Sequence, residues 1–123
     1  EIDQVLSDVA DAEVRVVFTP HLIPMDRGIL STCYAEPTGE FTEPSLLRIF
    51  EEFYADEPFV RISKNLPATK HVSHTNFCNI TVRSVRGRVV AISVIDNLVK
   101  GASGAAVQNF NLMYGFEETT ALR

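Results

Sequence analysis

Apolar residues recur at helical spacing in three parts of the chain. The first part has apolar residues at i, i+3, i+4 and i+7 and predicts a helix at the start; they are Ile2, Val5, Leu6 and Val9. A second helix is predicted from Thr42, a residue type that caps helices, to a point before Pro58. A third is predicted from about Leu98 to Tyr114, with Gly115 as its C-cap.

Five other stretches carry the apolar and β-branched residues that favour strands. They are residues 14–19, 28–35, 59–62, 77–85 and 88–96. Arg86 and Gly87 lie between the last two stretches and predict a tight turn, and hence a β-hairpin. Helices combined with a sheet of this kind are typical of the α+β class. We therefore predict a mainly antiparallel sheet with helices packed on one face.

Composition narrows the class of protein. The chain has 123 residues, 46% hydrophobic and 22% charged, as expected for one globular domain. Its net charge of −5 argues against a nucleic-acid surface, and no apolar run approaches the ~20 residues of a membrane span. Cys33 and Cys78 lie in apolar strands without metal-ligand spacing. We expect two reduced, buried thiols, no metal site and a cytoplasmic protein.

The start of the third helix is unusually poor in side chains. Gly101 and Gly104 stand among alanines and a serine, although each glycine costs a helix about 1 kcal/mol relative to alanine. Such a segment favours the close approach of a flat ligand, with helix N–H groups that suit an anion or a carboxamide. The alternative interpretation is close packing of the helix on the sheet.

Cationic candidates lie in a rigid segment, residues 19–28, which contains two prolines. His21 and Arg27 of this segment suit a carboxylate or phosphate ligand, which arginine can hold through two N–H groups. A histidine that bonds only to local backbone is the alternative. The polar loop (residues 63–76) is the one long loop, and its His71 and His74 are either solvated or functional.

Two long motifs carry a resemblance to a known family. They are FTPHLIPMDRGIL at residues 18–30 and DNLVKGASGAAVQN at residues 96–109. Together they resemble the N-acetyl-γ-glutamyl-phosphate reductases, a family of the aspartate-semialdehyde dehydrogenase-like superfamily. GFEETTAL at residues 115–122 resembles the Gly-x-x-Glu-Thr-x-x-Leu ending of that family. The resemblance runs from Glu1 to Leu122.

The resemblance implies a reductive dephosphorylation in arginine biosynthesis. A cysteine thiolate attacks the acyl phosphate, phosphate leaves, and NADPH reduces the thioester to N-acetylglutamate 5-semialdehyde. The family has an N-terminal dinucleotide-binding domain, which holds most of the NADP, and an α+β domain for substrate and oligomer contacts. Its Asn-Pro-Gly-Cys-Tyr nucleophile motif does not occur here, and Glu1-Ile2 resembles only the end of its His-Arg-His-x-x-Glu-Ile motif. The resemblance therefore places no catalytic residue in this chain, which alone is expected to be inactive.

Matching positions imply roles for the remaining residues. The resemblance assigns cofactor contacts to four residues of the third helix and the turn before it: Asn97, Lys100, Gly101 and Gly104. It assigns substrate contacts to His21 and Arg27. Residues 1–97 would belong to the catalytic and oligomerisation domain, whereas residues 98–123 would pack toward the dinucleotide-binding domain. The implied partners are the acyl-phosphate substrate and further copies of the chain, without nucleic acid or membrane.

Two other hypotheses stay open. The chain could be a non-catalytic α+β binding or oligomerisation module, or the smaller chain of a split reductase. A helix that begins at Glu1 without a capping residue suggests a piece of a longer chain. A self-contained module would cover the apolar residues of its last helix, whereas a part of a larger enzyme would expose them. These residues are Leu98, Val99, Val107, Phe110 and Met113.

Overall fold

Four strands form a single sheet that organises the chain. The computed structural model describes residues 1–123, with α1 (Ile2–Ala10), β1 (Ile29–Ala35), α2 (Glu43–Phe53), β2 (Val60–Ile62), a 3₁₀-helix (Thr69–His71), β3 (Cys78–Val85), β4 (Arg88–Ile95), a π-helix (Val99–Ser103) and α3 (Gly104–Tyr114). The strand order is β1-β4-β3-β2. Strand β4 pairs antiparallel with both β1 and β3, whereas β2 joins β3 in parallel. The predicted α+β class with a mainly antiparallel sheet is confirmed.

The β3–β4 hairpin forms the centre of this sheet. Arg86 and Gly87 connect its strands with φ angles of 51° and 77°. Positive φ at both central positions is the mark of a type I′ turn, whose twist matches that of the flanking strands. Glycine accepts this conformation without the steric cost of a Cβ. The predicted turn and hairpin are therefore confirmed.

Helix α2 packs on one face of the sheet and builds the main apolar core. Its first turn is held by a capping box, in which the Thr42 side chain accepts from the Ser45 N–H (3.2 Å) and Ser45 Oγ accepts from the Thr42 N–H (2.9 Å). The helix buries Leu46 and Leu47 against Val82 of β3. Four half-buried residues surround this cluster: Phe41, Phe50, Ile62 and Val89. This arrangement places a helix on the sheet face as predicted.

The opposite face of the sheet carries a row of apolar residues. Three cross-strand pairs of β1 and β4 share that face, since directly paired residues point the same way; they are Leu30 with Val94, Thr32 with Ile92 and Tyr34 with Val90. All seven residues of β1 are exposed, including Leu30 at 51% and Tyr34 at 69%. Val90 and Val94 of β4 are buried, at 6% and 0% exposed, so only the β1 part of the row is open. We name its three residues, Leu30, Thr32 and Tyr34, the open sheet face. It lies away from α2.

Residues 14–19 do not form the strand that their alternation predicts, and that prediction is wrong. Their backbone bonds to side chains of α1 instead: the Val14 N–H donates to Ser7 Oγ (2.9 Å) and the Val16 N–H donates to Asp3 Oδ1 (2.9 Å). Val17 and Phe18 remain exposed. Apolar alternation suits a strand only where a second strand is available to accept its backbone hydrogen bonds.

The two cysteines differ in burial. Cys33 is exposed, because β1 is an edge strand that no other element covers, so the prediction of a buried thiol is wrong there. Cys78 at the start of β3 is half-buried. Burial raises the pKa of the Cys78 thiol, and the nearby Lys100 charge offsets only part of that increase.

The third predicted helix begins with a wider turn than expected. Its first residues form a π-helix, in which the Gly101 N–H donates to Asp96 O (3.0 Å) and the Ser103 N–H to Leu98 O (3.1 Å). Regular α-helix follows from Gly104, and Gly115 ends it at a φ of 72°, as predicted. Single π-turns inside helices are frequent at functional sites.

No helix of the chain is long and apolar enough to cross a membrane.

Candidate substrate and cofactor site

Arg27 lies where β1 begins, on a short loop that packs against the 3₁₀-helix. This Arg27 loop (residues 24–28) contacts the helix through Met25, whose sulfur accepts from Thr69 Oγ1 (3.5 Å). The Arg27 side chain is 28% exposed, and its Nε donates to Asp96 Oδ2 at 2.7 Å. A partly buried guanidinium is thus held at the end of the sheet where β4 stops and β1 begins.

Gly28 brings this loop against its neighbours. Its backbone N–H donates to Asn97 Oδ1 (2.7 Å) and its φ is 108°, a conformation that favours glycine. A Cβ at this position would lie 2.7 Å from Thr69 Cβ, which is closer than carbon atoms approach. Asn97 therefore joins the two family motifs, and this glycine is required by both its conformation and its packing.

Asp96, directly after β4, is completely buried and accepts four hydrogen bonds. Oδ2 accepts from Arg27 Nε and from the His74 backbone N–H (2.6 Å). Oδ1 accepts from the backbone N–H groups of Leu98 (2.8 Å) and Val99 (3.0 Å). Burial alone would raise the pKa of this carboxyl, but the four hydrogen bonds outweigh burial and hold the pKa far below its ordinary value. An ionised carboxylate therefore joins the Arg27 loop, the polar loop and the helix start.

His74 takes part in this junction through its backbone rather than its ring. Its φ of 64° lies in the left-handed region, which histidine adopts more readily than most residues. That conformation accompanies the hydrogen bond from its N–H to Asp96 Oδ2. His74 itself is exposed, as is His71. The polar loop thus contributes an anchor to the junction, which its side-chain chemistry did not predict.

The two glycines of the helix start have different surroundings. A Cβ on Gly104 would overlap Asn76 Oδ1 and come within 2.8 Å of Val99 O, so packing inside the chain requires this glycine. A Cβ on Gly101 would meet only ordinary contacts, the nearest being Ile95 Cδ1 at 3.5 Å. Gly101 and the two residues after it are exposed. The exposed, nearly bare surface is therefore the stretch 101–103.

Most N–H groups at this helix start are already bonded within the chain. Those of Leu98 and Val99 donate to Asp96 Oδ1, and those of Gly101 and Ser103 donate to backbone carbonyls. The expectation of N–H groups turned toward a ligand is wrong for these four residues. A ligand would instead meet the small side chains of the stretch 101–103.

The remaining candidates, Lys100 and His21, lie in contrasting environments. Lys100 is half-buried, with its Nζ 2.6 Å from Gln108 Oε1 and 5.5 Å from the centre of the Phe59 ring. His21 is exposed, and its ring bonds only to Thr19 O (3.1 Å). The structure thus joins Arg27, through Gly28 and Asp96, to the helix start, and records no hydrogen bond between His21 and the rest of the site.

The chain is similar to known proteins over most of its length. A sequence profile of the semialdehyde dehydrogenase dimerisation domain matches residues 1–97. The chain belongs to the semialdehyde dehydrogenase dimerisation-domain family. This identification confirms the superfamily that the two motifs indicated.

Relatives of this dimerisation domain are named N-acetyl-gamma-glutamyl-phosphate reductase. That of Geobacter metallireducens is 55% identical over 99% of the chain, and that of Staphylococcus saprophyticus is 52% identical over 99%. That of Staphylococcus aureus is 50% identical over 100% of the chain. The chain spans 36% to 37% of the length of these relatives.

Amide side chains hold residues 115–122, which resemble the family ending, against α3. Asn111, 3% exposed, donates through Nδ2 to Glu118 O (3.0 Å) and Thr120 O (2.9 Å). Gln108 Oε1 accepts from Asn76 Nδ2 (2.9 Å), and Gln108 Nε2 donates to Glu118 Oε1 (2.6 Å). These side chains hold the segment that follows α3 against the helix. In this dimerisation-domain chain, residues 115–122 thus have a structural role that sequence analysis did not identify.

Sequence reasoning also missed Asp96 and Asn76 as organisers of the site. One signal was present for Asp96: a carboxylate directly after an apolar strand and before a helix is a common capping position. Asn76 gave no such signal, since it closes a polar loop. Its Oδ1 is buried without a hydrogen-bond partner and packs against Gly104.

We expect alanine substitutions of the two helix-start glycines to have opposite effects on stability. Gly104→Ala forces a Cβ into Asn76 and Val99, and is expected to lower the free energy of unfolding by about 1–3 kcal/mol. Gly101→Ala is the matched control, expected to raise it by up to about 1 kcal/mol, since alanine favours a helix and the space is free. Urea unfolding of both variants measures the difference. Equal destabilisation by both changes would contradict this packing account.

The Asp96 carboxylate predicts a loss of stability in acid. Its pKa is lower in the folded than in the unfolded state, so its contribution is present above about pH 4, the ordinary value, and disappears as the pH falls toward the folded pKa. Asp96→Asn should therefore be less stable at pH 7 and lose less stability on acidification than the unaltered protein. Thermal unfolding from pH 7 to pH 3 checks this, with Asp56→Asn at an exposed carboxylate as control. Parallel curves for all three proteins would refute it.

Proposed function

We propose that this chain is the C-terminal part of an NADP-dependent N-acetyl-γ-glutamyl-phosphate reductase, a cytoplasmic enzyme of arginine biosynthesis. The observation that carries the proposal is 50% to 55% identity, over at least 99% of the chain, to proteins of that name. Since the chain spans little more than a third of those relatives, we place the nucleophilic cysteine, the histidine base and the dinucleotide-binding domain in the remainder. The contribution of these residues is then to hold substrate, cofactor and a second subunit.

In this proposal Arg27 holds an anionic group of the substrate. The acyl phosphate carries a phosphate and a carboxylate, and a guanidinium is a strong partner for either. Partial burial of Arg27 favours such a contact, because a charge–charge interaction is stronger where water is largely excluded. His21, in the same motif, is a second candidate for this contact in the complete enzyme with substrate bound.

The helix start would face the nicotinamide half of the cofactor. The stretch 101–103 fits a flat group, because it is exposed and consists of glycine, alanine and serine. When bound, NADPH supplies the hydride that reduces the thioester. Asn97 connects this segment to Gly28, and hence to the loop of Arg27, through one hydrogen bond of 2.7 Å. Substrate and cofactor residues would thereby keep a fixed spacing. Lys100 and Gly104 would support the segment from its buried side.

The exposed apolar surface of α3 supports a part of a larger enzyme over a self-contained module. Phe110 and Met113 of α3 are 51% and 79% exposed, and Leu98, before the π-helix, is 53% exposed, whereas Val99 is half-buried. A module that functions alone gains stability by covering such side chains. We propose that residues 98–123 pack against the dinucleotide-binding domain, and that residues 1–97 form the catalytic and oligomerisation domain.

The direct test is the reductase reaction, assayed in reverse. The complete protein that carries this chain is expected to reduce NADP⁺ in the presence of N-acetylglutamate 5-semialdehyde and phosphate, measured as absorbance of NADPH. The 123-residue chain alone is expected to give no NADPH, because it holds neither the nucleophile nor the base of the proposal. Aspartate semialdehyde, which lacks the N-acetyl group and one methylene, is the control substrate.

Two results would contradict this proposal. One is a complete protein that is folded but inactive with this substrate, and the other is turnover by the isolated chain. The mass of the denatured protein, compared with that of the native protein, tests whether the enzyme consists of two chains. A larger polypeptide that co-purifies with the 13.7 kDa chain would show a split reductase.

We further propose that the open sheet face pairs with a second copy of the chain. The matching profile is that of a dimerisation domain, and the face presents Leu30 and Tyr34 to solvent beside the apolar row of β4. Leu30→Glu is expected to raise the dimer dissociation constant at least about tenfold, because it buries a charge among apolar side chains. Sedimentation velocity of the complete protein measures this change. Ile49→Glu adds the same charge at an exposed position of α2, and equal effects of both variants would contradict the assignment.

A further inference from the structure

The Arg27 guanidinium is engaged on one side only. Nε donates to Asp96 Oδ2 at 2.7 Å, whereas neither Nη group donates a hydrogen bond to any residue of the chain. An arginine bound through Nε can still offer both Nη groups to an anion. The side chain is 28% exposed, so part of it is reachable from solvent.

The Asp96 carboxylate cannot follow Arg27 if the arginine moves. Both of its oxygens also accept backbone N–H groups, from Leu98 and Val99 on Oδ1 and from His74 on Oδ2. Its side chain is completely buried. The position of the carboxylate is therefore set by the backbone of two segments, and the orientation of Arg27 is set by the carboxylate.

We infer that Asp96 is a positioning residue for anion binding, which holds Arg27 by Nε so that both Nη groups are free for a phosphate or carboxylate of the substrate. The inference rests on the proposed function, since it assigns the substrate anion to Arg27. It adds that Asp96 acts through Arg27 and not by direct contact with substrate. It also predicts that a lysine, which lacks both Nε and the two Nη groups, cannot replace Arg27.

A double-mutant cycle in the complete protein tests this inference. Asp96→Asn, Arg27→Gln and the double variant are compared in the reverse reaction, with separate KM values for inorganic phosphate and for the semialdehyde, which carries the carboxylate. Arg27→Gln is expected to raise one KM about ten- to hundredfold, as loss of charge-assisted hydrogen bonds does. Asp96→Asn should raise the same KM, and the double variant should match Arg27→Gln alone, because Asp96 acts only through Arg27. The KM that changes identifies phosphate or carboxylate as the anion.

Arg27→Lys keeps the test valid if Asp96→Asn does not fold. It alters only a partly exposed side chain and retains its charge, and it is expected to raise the same KM nearly as far as Arg27→Gln does. Glu36→Gln, which breaks the exposed pair with Arg88, is the control and should leave both KM values unchanged. The inference would be overturned if Arg27→Lys had the same KM values as the unaltered enzyme. It would also be overturned if the KM effects of Asp96→Asn and Arg27→Gln multiplied in the double variant. Absence of reductase activity in the unaltered protein would instead overturn the proposed function, and the inference with it.

Discussion

The buried carboxylate of Asp96 connects the parts of this molecule that lie far apart in sequence. Removal of a carboxylate from water costs several kcal/mol unless its oxygens are fully bonded. Here the compensating donors come from the polar loop, the Arg27 loop and the start of the last helix. None of these segments can shift without leaving a buried charge with too few donors. A single side chain thus fixes the relative positions of the candidate substrate-binding and cofactor-binding residues.

Elements defined by neighbouring residues were predictable from sequence. Thr42 identified the start of α2, Arg86 and Gly87 identified the hairpin, and Gly115 identified the end of α3. In each case the physical cause, a cap or a φ preference, lies within a few residues of the element. Residues 14–19 show the limit of this reasoning, because a strand depends on a partner and their backbone bonds to α1 instead.

The candidate site was predictable only in part. Arg27 and the two helix-start glycines were identified from their local context, but the carboxylate that joins them was not, since Arg27 and Asp96 are 69 residues apart. Sequence reasoning also left open why glycine occurs twice at the helix start. The structure separates the two: Gly104 accommodates Asn76 and Val99, whereas Gly101 stands on the surface. Packing of this kind depends on three-dimensional neighbours and has no signature in residue spacing.

The strand order has a consequence for how the chain acquires its site during folding. The β3–β4 hairpin forms from adjacent residues, whereas β1 joins β4 only after closure of the longest loop in the sheet. Contacts that close long loops form late, because their entropic cost precedes any gain. Arg27 immediately precedes β1, so its contact with Asp96 is expected to form with that last strand pairing. A partly folded chain can therefore contain the hairpin and α2 and still lack the oriented guanidinium. The proposed anion binding would then be a property of the fully folded molecule alone.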